Sequence, residues 1–209
     1  MNQGYISVIL ICILLILLAS GWRKEMAGDA SHKGILLFFA GWIVGSRLNL
    51  RLSEQITLNL VCVPLLITFL AVWFESRRRM NGLHLVSGGI FMSMAFVLEQ
   101  QISSAAPMMV VFFPLIDAAL LLGMLAVGLF RRPLEQIAAV SLALLIGNLL
   151  FQIIRRDPVP IHLGDAYFQD EWWLTVVLSR GLSEILNACL KIWRNTMSVK
   201  LNRRRGYRE

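Results

Sequence analysis

Charged residues are scarce in this sequence of 209 amino acids, and their scarcity excludes most soluble folds. Only 16% of the residues are charged, whereas 57% are hydrophobic, and the mean hydropathy is +0.67. Soluble domains usually carry about 25% charged residues. The composition therefore predicts a membrane protein. Its apolar runs approach the roughly 20 residues that a spanning helix needs, and they leave no length for a separate soluble domain.

Cysteines and catalytic signatures are also sparse or missing. The three cysteines, Cys12, Cys62 and Cys189, lie singly within apolar segments, so neither a disulfide framework nor a metal site is predicted. The sequence contains no nucleophile elbow, zinc-protease motif or phosphate-binding glycine loop, and its three histidines lie on different loops. These absences predict a non-enzymatic protein without a metal or another cofactor.

Positive charge is absent before Arg23, which is the first basic residue of the chain. A cleavable signal peptide has the opposite polarity, with basic residues before its apolar core and a small-residue site after it. We therefore expect residues 6–19 to form an uncleaved anchor whose N-terminus lies outside.

Apolar segments occupy most of the chain, and they predict an all-α, polytopic bundle of about seven transmembrane spans. The segments are residues 6–19, 34–45, 56–74, 83–98, 107–130, 134–154 and 172–193. The second is short, and completing its span draws in Arg47 or Arg51, whose side chains could reach the headgroups. Residues 99–104 are expected to form a turn and 155–171 a loop. The bundle is predicted to fill residues 1–193, followed by a partly disordered basic cytoplasmic tail at 194–209.

The distribution of lysine and arginine gives the orientation of this bundle. With the N-terminus outside, fifteen basic residues fall on the inner side, four fall on the outer side, and Arg180 falls within the membrane. Cytoplasmic loops carry such an excess. We therefore expect a multi-pass protein of the plasma membrane with a cytoplasmic C-terminus.

The same basic residues indicate which partners to expect. They flank apolar runs, so the net charge of +7 is explained by orientation and predicts no binding to nucleic acid. Six of them lie between residues 194 and 208, just inside the predicted membrane, and this predicts attraction to anionic lipids of the bilayer. Other membrane proteins, or a second copy of the chain, are further expected partners.

Four of the polar residues within predicted spans form a candidate cluster: Asp117 near the middle of the fifth, and Arg180, Glu184 and Asn187 along one stripe of the seventh. An unpaired charge at the bilayer centre costs roughly 2.5 to 3.5 kcal/mol on insertion scales, so Asp117 and Arg180 are expected to pair. The cluster is then either an ion-pair clasp that fixes helix order or a site that handles protons or substrate. Alternatively, Arg180 and Glu184 neutralise each other, or the seventh segment lies flat in the headgroups.

Small residues and tryptophans add expectations about packing. Small residues four apart predict close helix contacts inside the bundle, and they are Gly41 and Gly45, Ala119 and Gly123, and Ala139, Ala143 and Gly147. Tryptophans near segment ends are expected to anchor the helices at the interface, and they are Trp22, Trp42, Trp73, Trp172 and Trp173.

Acids gather in the loop before the last segment, at Asp157, Asp165, Asp170 and Glu171. They are expected to balance Arg155 and Arg156. Collection of a cation is the other interpretation, although the spacing is not that of an EF-hand.

Two short stretches carry a family resemblance: LASGWR at residues 18–23 and WIVGSR at residues 42–47. Here, and in its length and pattern of spans, the chain resembles the small multi-pass YphA-type membrane proteins of Gram-positive bacteria. The resemblance implies a bacterial plasma membrane and supplies no catalytic residues.

The favoured functional prediction is a non-enzymatic membrane protein with a structural, assembly or regulatory role. The alternative is a small transporter or channel-like protein that uses the cluster of Asp117, Arg180 and Glu184. A lipid-modifying enzyme comes third.

Overall fold

A computed structural model describes residues 3–28, 30–53, 56–77, 82–106, 108, 110–155 and 161–205, with the backbone alone at 24, 52, 77 and 195–205. Within these residues the chain forms eight helices and three short strands, so the prediction of a mostly helical chain is confirmed. The helices are α1 (Tyr5–Ala19), α2 (Arg23–Ala27), α3 (His32–Gly45), α4 (Cys62–Arg77), α5 (Gly82–Ala105), α6 (Pro114–Leu129), α7 (Pro133–Arg155) and α8 (Ala166–Arg205). The strands are β1 (Asn49–Ser53), β2 (Ile56–Asn59) and β3 (Ile161–Leu163).

Two of the described helices, α5 and α7, are long and apolar enough to cross a membrane on the grounds of length and composition. The helices α1, α3, α4 and α6 are also apolar but have only 14 to 16 residues. At about 1.5 Å per residue they are shorter than the hydrocarbon layer, which is about 30 Å thick. The number of spans therefore stays a prediction.

Several predicted helix boundaries are wrong, and local chemistry explains each difference. Residues 56–59 form strand β2, so the helix of the third segment begins only at Cys62. The expected turn at 99–104 is helical, because the sequence contains no glycine or proline between Gly89 and the end of α5 at Ala105. α6 begins at Pro114, since proline at the first helical position gives up no needed hydrogen bond.

The last helix is longer than predicted at both ends. α8 begins at Ala166, inside the expected loop, and its backbone stays helical to Arg205. The helix thus includes residues 194–205 of the tail that was predicted to be partly disordered, and residues 206–209 lie outside the described residues. Residues of high helix propensity, including Leu, Lys and Arg, are frequent in this part of the sequence.

A small three-stranded sheet, which the sequence analysis did not predict, lies at one end of the helices. β1 pairs with β2 in antiparallel fashion, and β2 pairs with β3 in parallel fashion. The strands have only three to five residues, too few for a clear alternation of apolar and polar side chains. Asn59 links this sheet to α4, because its Oδ1 accepts a hydrogen bond from the Val61 N–H at 2.9 Å.

The bundle has two chemically different ends. At the sheet end, Gly4 before α1 contacts Asp170 of α8, and Gly45 at the end of α3 lies against the Leu60 and Val61 backbone before α4. At the opposite end, here called the Arg180 end, Gly28 lies against Pro133, and Arg180 contacts Glu25. The seven helices α1 and α3 to α8 alternate in direction between these ends.

Glycines and alanines allow the closest contacts in the core. α5 packs along α7, where a Cβ added at Gly147 would lie 2.6 Å from Phe96 Cδ1 and one at Gly89 would lie 2.6 Å from Leu142 Cδ2. α6 packs along α8, where Gly123 faces Leu178 and Ser179. Internal packing by the predicted small residues is therefore confirmed at Gly123 and Gly147.

Three of the five tryptophans predicted to be interfacial anchors lie in the core. Trp42, Trp172 and Trp173 are buried, and the Trp42 ring centroid lies 4.8 Å from that of Trp172 and 5.0 Å from that of Trp173. Phe38 and Phe39 of α3 pack into the same cluster. The anchor prediction is wrong at these three positions, because aromatic contact between α3 and α8 removes the rings from the interface.

Candidate functional site

Arg180 is the most connected of the predicted polar residues. Its side chain is 3% exposed. Nε donates a hydrogen bond to the Glu25 carbonyl oxygen at 3.0 Å, and Nη2 also donates to that oxygen. Nη1 donates to Gln136 Oε1 at 2.8 Å, and Nη2 donates to Glu184 Oε1 at 2.9 Å. One guanidinium group thus joins α2, α7 and α8, and we call this set of contacts, together with Ser183, the Arg180 clasp.

Gln136 extends the clasp to α6 and was missed by the sequence analysis. Its Nε2 donates to the Phe130 carbonyl oxygen at 2.7 Å and to Ser183 Oγ at 2.8 Å, while its Oε1 accepts from Arg180. Gln136 is buried in the first turn of α7. A glutamine close behind Pro133, in a segment otherwise rich in apolar residues, is the signal that could have identified it.

The other two predicted members on α8 are less buried than Arg180. Glu184 pairs with Arg180 as predicted, but its side chain is 35% exposed. Asn187 is exposed and lies about one turn further along the helix. The hypothesis that residues 172–193 lie flat in the headgroups is wrong for the first half, because Trp172, Thr175 and Ser179 are buried inside the bundle.

Asp117 lies at the opposite end of α6 from the clasp. Because α6 begins at Pro114, Asp117 is in the first helical turn and not near the middle of a span. Its carboxylate accepts hydrogen bonds from the Val111 N–H at 2.8 Å and the Phe112 N–H at 3.3 Å. The predicted pair of Asp117 with Arg180 is therefore wrong. A carboxylate near a helix N-terminus is instead stabilised by unpaired backbone N–H groups and the helix dipole.

The described acids of the expected outer loop have different hydrogen-bond partners. Asp157 lies outside the described residues. Asp170 is buried and accepts hydrogen bonds from the Gly4 N–H at 2.7 Å and the Ser7 N–H at 2.6 Å, which fixes the start of α1 against α8. This role of Asp170 was not predicted, and its position near Trp172 and Trp173 in the sequence gave no indication of it.

Asp165 caps the N-terminus of α8, where its Oδ1 accepts a hydrogen bond from the Phe168 N–H at 2.9 Å. Desolvation raises the pKa of this carboxyl above its ordinary value of 3.8, against opposing effects of the Phe168 N–H and of His162. Glu171, one helical turn and a half further on, is buried and lines a cavity together with Asp165.

The histidines and cysteines do not form a common site in the described part of the chain. His84 Nε2 lies 3.2 Å from the Leu129 carbonyl oxygen at the Arg180 end, while His162 contacts Thr57 within the sheet. Among the described residues, no group of three or more His, Cys, Asp or Glu side chains is arranged to hold a metal ion.

Comparison with known proteins gives one match. The model of the family described as YphA-like integral membrane protein matches residues 34–206. None of the curated proteins and none of the solved structures that were compared matches the chain. The matched stretch covers most of the sequence and includes α3 to α8. The chain therefore belongs to the family of YphA-like integral membrane proteins.

Proposed function

We propose that this chain is a non-enzymatic, multi-pass protein of the plasma membrane that acts in the assembly or regulation of membrane components through the projecting arm, residues 185–205 of α8. The observation that carries the proposal is the change in burial along this helix. Arg180 and Ser183 are buried, whereas every described side chain from 185 to 194 is exposed.

The described part of the projecting arm is amphipathic. Asn187, Lys191 and Arg194 form a polar stripe, spaced four and three residues apart. The remaining surface carries large exposed apolar side chains, which are Ile185, Leu186, Leu190, Ile192 and Trp193. Basic amphipathic helices of this kind bind at membrane interfaces, and each Lys or Arg near an anionic surface contributes about 1 kcal/mol of attraction.

The path of the helices supports seven crossings with the N-terminus outside. The helices α1 and α3 to α8 alternate between the sheet end and the Arg180 end, as successive spans must. In this arrangement the Arg180 end faces the cytoplasm, where fifteen of the twenty basic residues then lie. With 40 residues, α8 is about 60 Å long, roughly twice the thickness of the hydrocarbon layer, so its second half extends past the membrane.

The alternative of a small transporter required Asp117, Arg180 and Glu184 to form one site. Asp117 and Arg180 lie at opposite ends of α6 and cannot act on one substrate. The remaining pair, Arg180 and Glu184, is held by hydrogen bonds to α2 and α7. That geometry suits a structural clasp that holds the base of the projecting arm.

The proposed contact with lipid can be tested with Cys189, which is native and exposed on the arm. The full chain carrying Cys12→Ser is labelled at Cys189 with an environment-sensitive fluorophore and placed in nanodiscs. We expect blue-shifted emission in discs that contain phosphatidylglycerol, compared with phosphatidylcholine alone, and a smaller difference at high salt.

Two matched controls make this test specific. A label at Cys12 of α1 in the Cys189→Ser variant should not respond to lipid charge. Replacing Lys191 and Arg194 together by Gln should reduce the response at Cys189 while the protein stays folded. Equal emission from Cys189 in the two kinds of disc would contradict the proposed interaction with anionic lipid.

A further inference from the structure

A polar cavity of about 560 Å³ lies at the sheet end, remote from the Arg180 clasp and the projecting arm. It lies between α5, α7, α8 and β3, and its lining includes Phe96, Gln100, Phe151, Asp165, Tyr167 and Glu171. Cavities of roughly 300 to 1,000 Å³ with a few convergent polar groups are typical of small-molecule sites.

Glu171 is a buried acidic side chain in the wall of this cavity. It is 1% exposed, and its Oε1 accepts a hydrogen bond from the neutral Gln100 side chain at 3.4 Å. Burial and the nearby carboxylates of Glu99 and Asp165 all act against an isolated negative charge on Glu171. A buried carboxylate without a cationic partner is unfavourable, and a cation inside the cavity would supply the missing charge.

The cavity wall also indicates what kind of cation fits. The rings of Phe96, Phe151 and Tyr167 contribute to it, and aromatic faces attract organic cations. A bare metal ion is a poor occupant, since no group of three His, Cys, Asp or Glu side chains is arranged for one in the described residues. Arg155 also lines the cavity, with its guanidinium carbon 5.8 Å from the Phe151 ring centroid. Among the described residues, the wall thus contains one guanidinium group and the two carboxyl groups of Asp165 and Glu171.

We propose that this cavity binds a small organic ammonium compound. The ammonium group lies against Glu171 and Asp165, and the apolar part of the ligand packs among Phe96, Phe151 and Tyr167. This proposal is independent of the function assigned to the projecting arm, because the two sites lie at opposite ends of the bundle.

Binding can be measured on the purified full chain in nanodiscs by the shift in its unfolding temperature. The probes are ethanolamine and choline, a primary and a quaternary ammonium alcohol, with the neutral carbon isostere of choline as the uncharged comparison. A ligand that binds only the folded state raises the unfolding temperature with increasing concentration. We expect a saturable rise with at least one of the two ammonium compounds and none with the isostere.

Three variants assign the effect to the cavity. Glu171→Gln keeps the size of the side chain, should fold at least as well as the parent, and should abolish the response. Ser104 also lines the cavity, so Ser104→Trp fills the space without removing a charge and should also abolish the response. Glu135→Gln, in the first turn of α7 at the Arg180 end, should respond like the parent. The proposal is overturned if neither ammonium compound stabilises the protein, if the isostere stabilises it equally, or if the response survives in Glu171→Gln.

Discussion

At position 180, α8 carries an arginine whose three guanidinium nitrogens all donate hydrogen bonds within the bundle. Two of the acceptors are uncharged, the Glu25 carbonyl and the Gln136 side chain, and the carboxylate of Glu184 is partly exposed. The clasp is therefore a hydrogen-bonded network more than an isolated ion pair. A network of this kind fixes the positions of α2, α6, α7 and α8 relative to one another.

Removing Arg180 should destabilise the fold more than removing its charged partner. Arg180→Gln strands buried acceptors, and each costs about 1 to 3 kcal/mol. Glu184→Gln removes only a partly exposed ion pair, for which about 0 to 1 kcal/mol is typical. The free energy of unfolding in detergent measures both changes. Equal losses from the two variants would contradict this account of the clasp.

The carboxylate of Asp117 caps the start of α6 and lies far from Arg180. Asp117→Asn combined with Arg180→Gln should lose the sum of the two single effects, within about 0.5 kcal/mol, because distant sites without shared partners are additive. Recovery of stability in the double variant would instead show that the two charges are coupled. The single and double variants are compared by the same unfolding measurement.

At the scale of the helices, the contact between α5 and α7 depends on small residues. Gly147→Ala would place a Cβ 2.6 Å from Phe96 Cδ1, so we expect a loss of about 1 to 3 kcal/mol from overpacking. Gly128→Ala on α6 is the matched control, since a Cβ added there meets nothing within 4 Å. It should be neutral or stabilising by up to about 1 kcal/mol. Similar unfolding free energies for the two variants would reject close packing at Gly147.

The apolar segments of the sequence predicted the positions of α1 and α3 to α8 but not where these helices begin and end. The core of each apolar segment became a helix, because a long apolar run has few other stable structures in a bilayer. The first turn of α6 was misplaced since both Pro107 and Pro114 could begin a helix, and this error moved Asp117 to the wrong depth. The short strands β1 to β3 gave no periodic signal. Their pairing depends on β3, which lies about 100 residues beyond β2.

The contacts of the candidate site could be predicted only between residues that are close in the sequence. The pairing of Arg180 with Glu184 follows from their spacing of four residues on one helix. The acceptors at Glu25 and Gln136 are 155 and 44 residues away, and nothing in the sequence pairs them with Arg180. Trp42, Trp172 and Trp173 were misassigned for the same reason, since their burial comes from contact between α3 and α8.

At the scale of the whole molecule, the two ends of the bundle differ in their chemistry. The sheet end carries the polar cavity with Asp165 and Glu171 in its wall. The Arg180 end carries the clasp and the projecting arm. The proposed orientation puts the first outside and the second in the cytoplasm, and every function proposed for either end depends on it.

Labelling of introduced cysteines in intact cells with a membrane-impermeant maleimide tests this orientation most directly. The exposed native Cys12 and Cys189 are first replaced by Ser, and Gln3→Cys or Arg205→Cys is added. We predict that Gln3→Cys reacts in intact cells and that Arg205→Cys reacts only after the membrane is permeabilised. Reaction of Arg205→Cys from outside in intact cells would contradict the orientation.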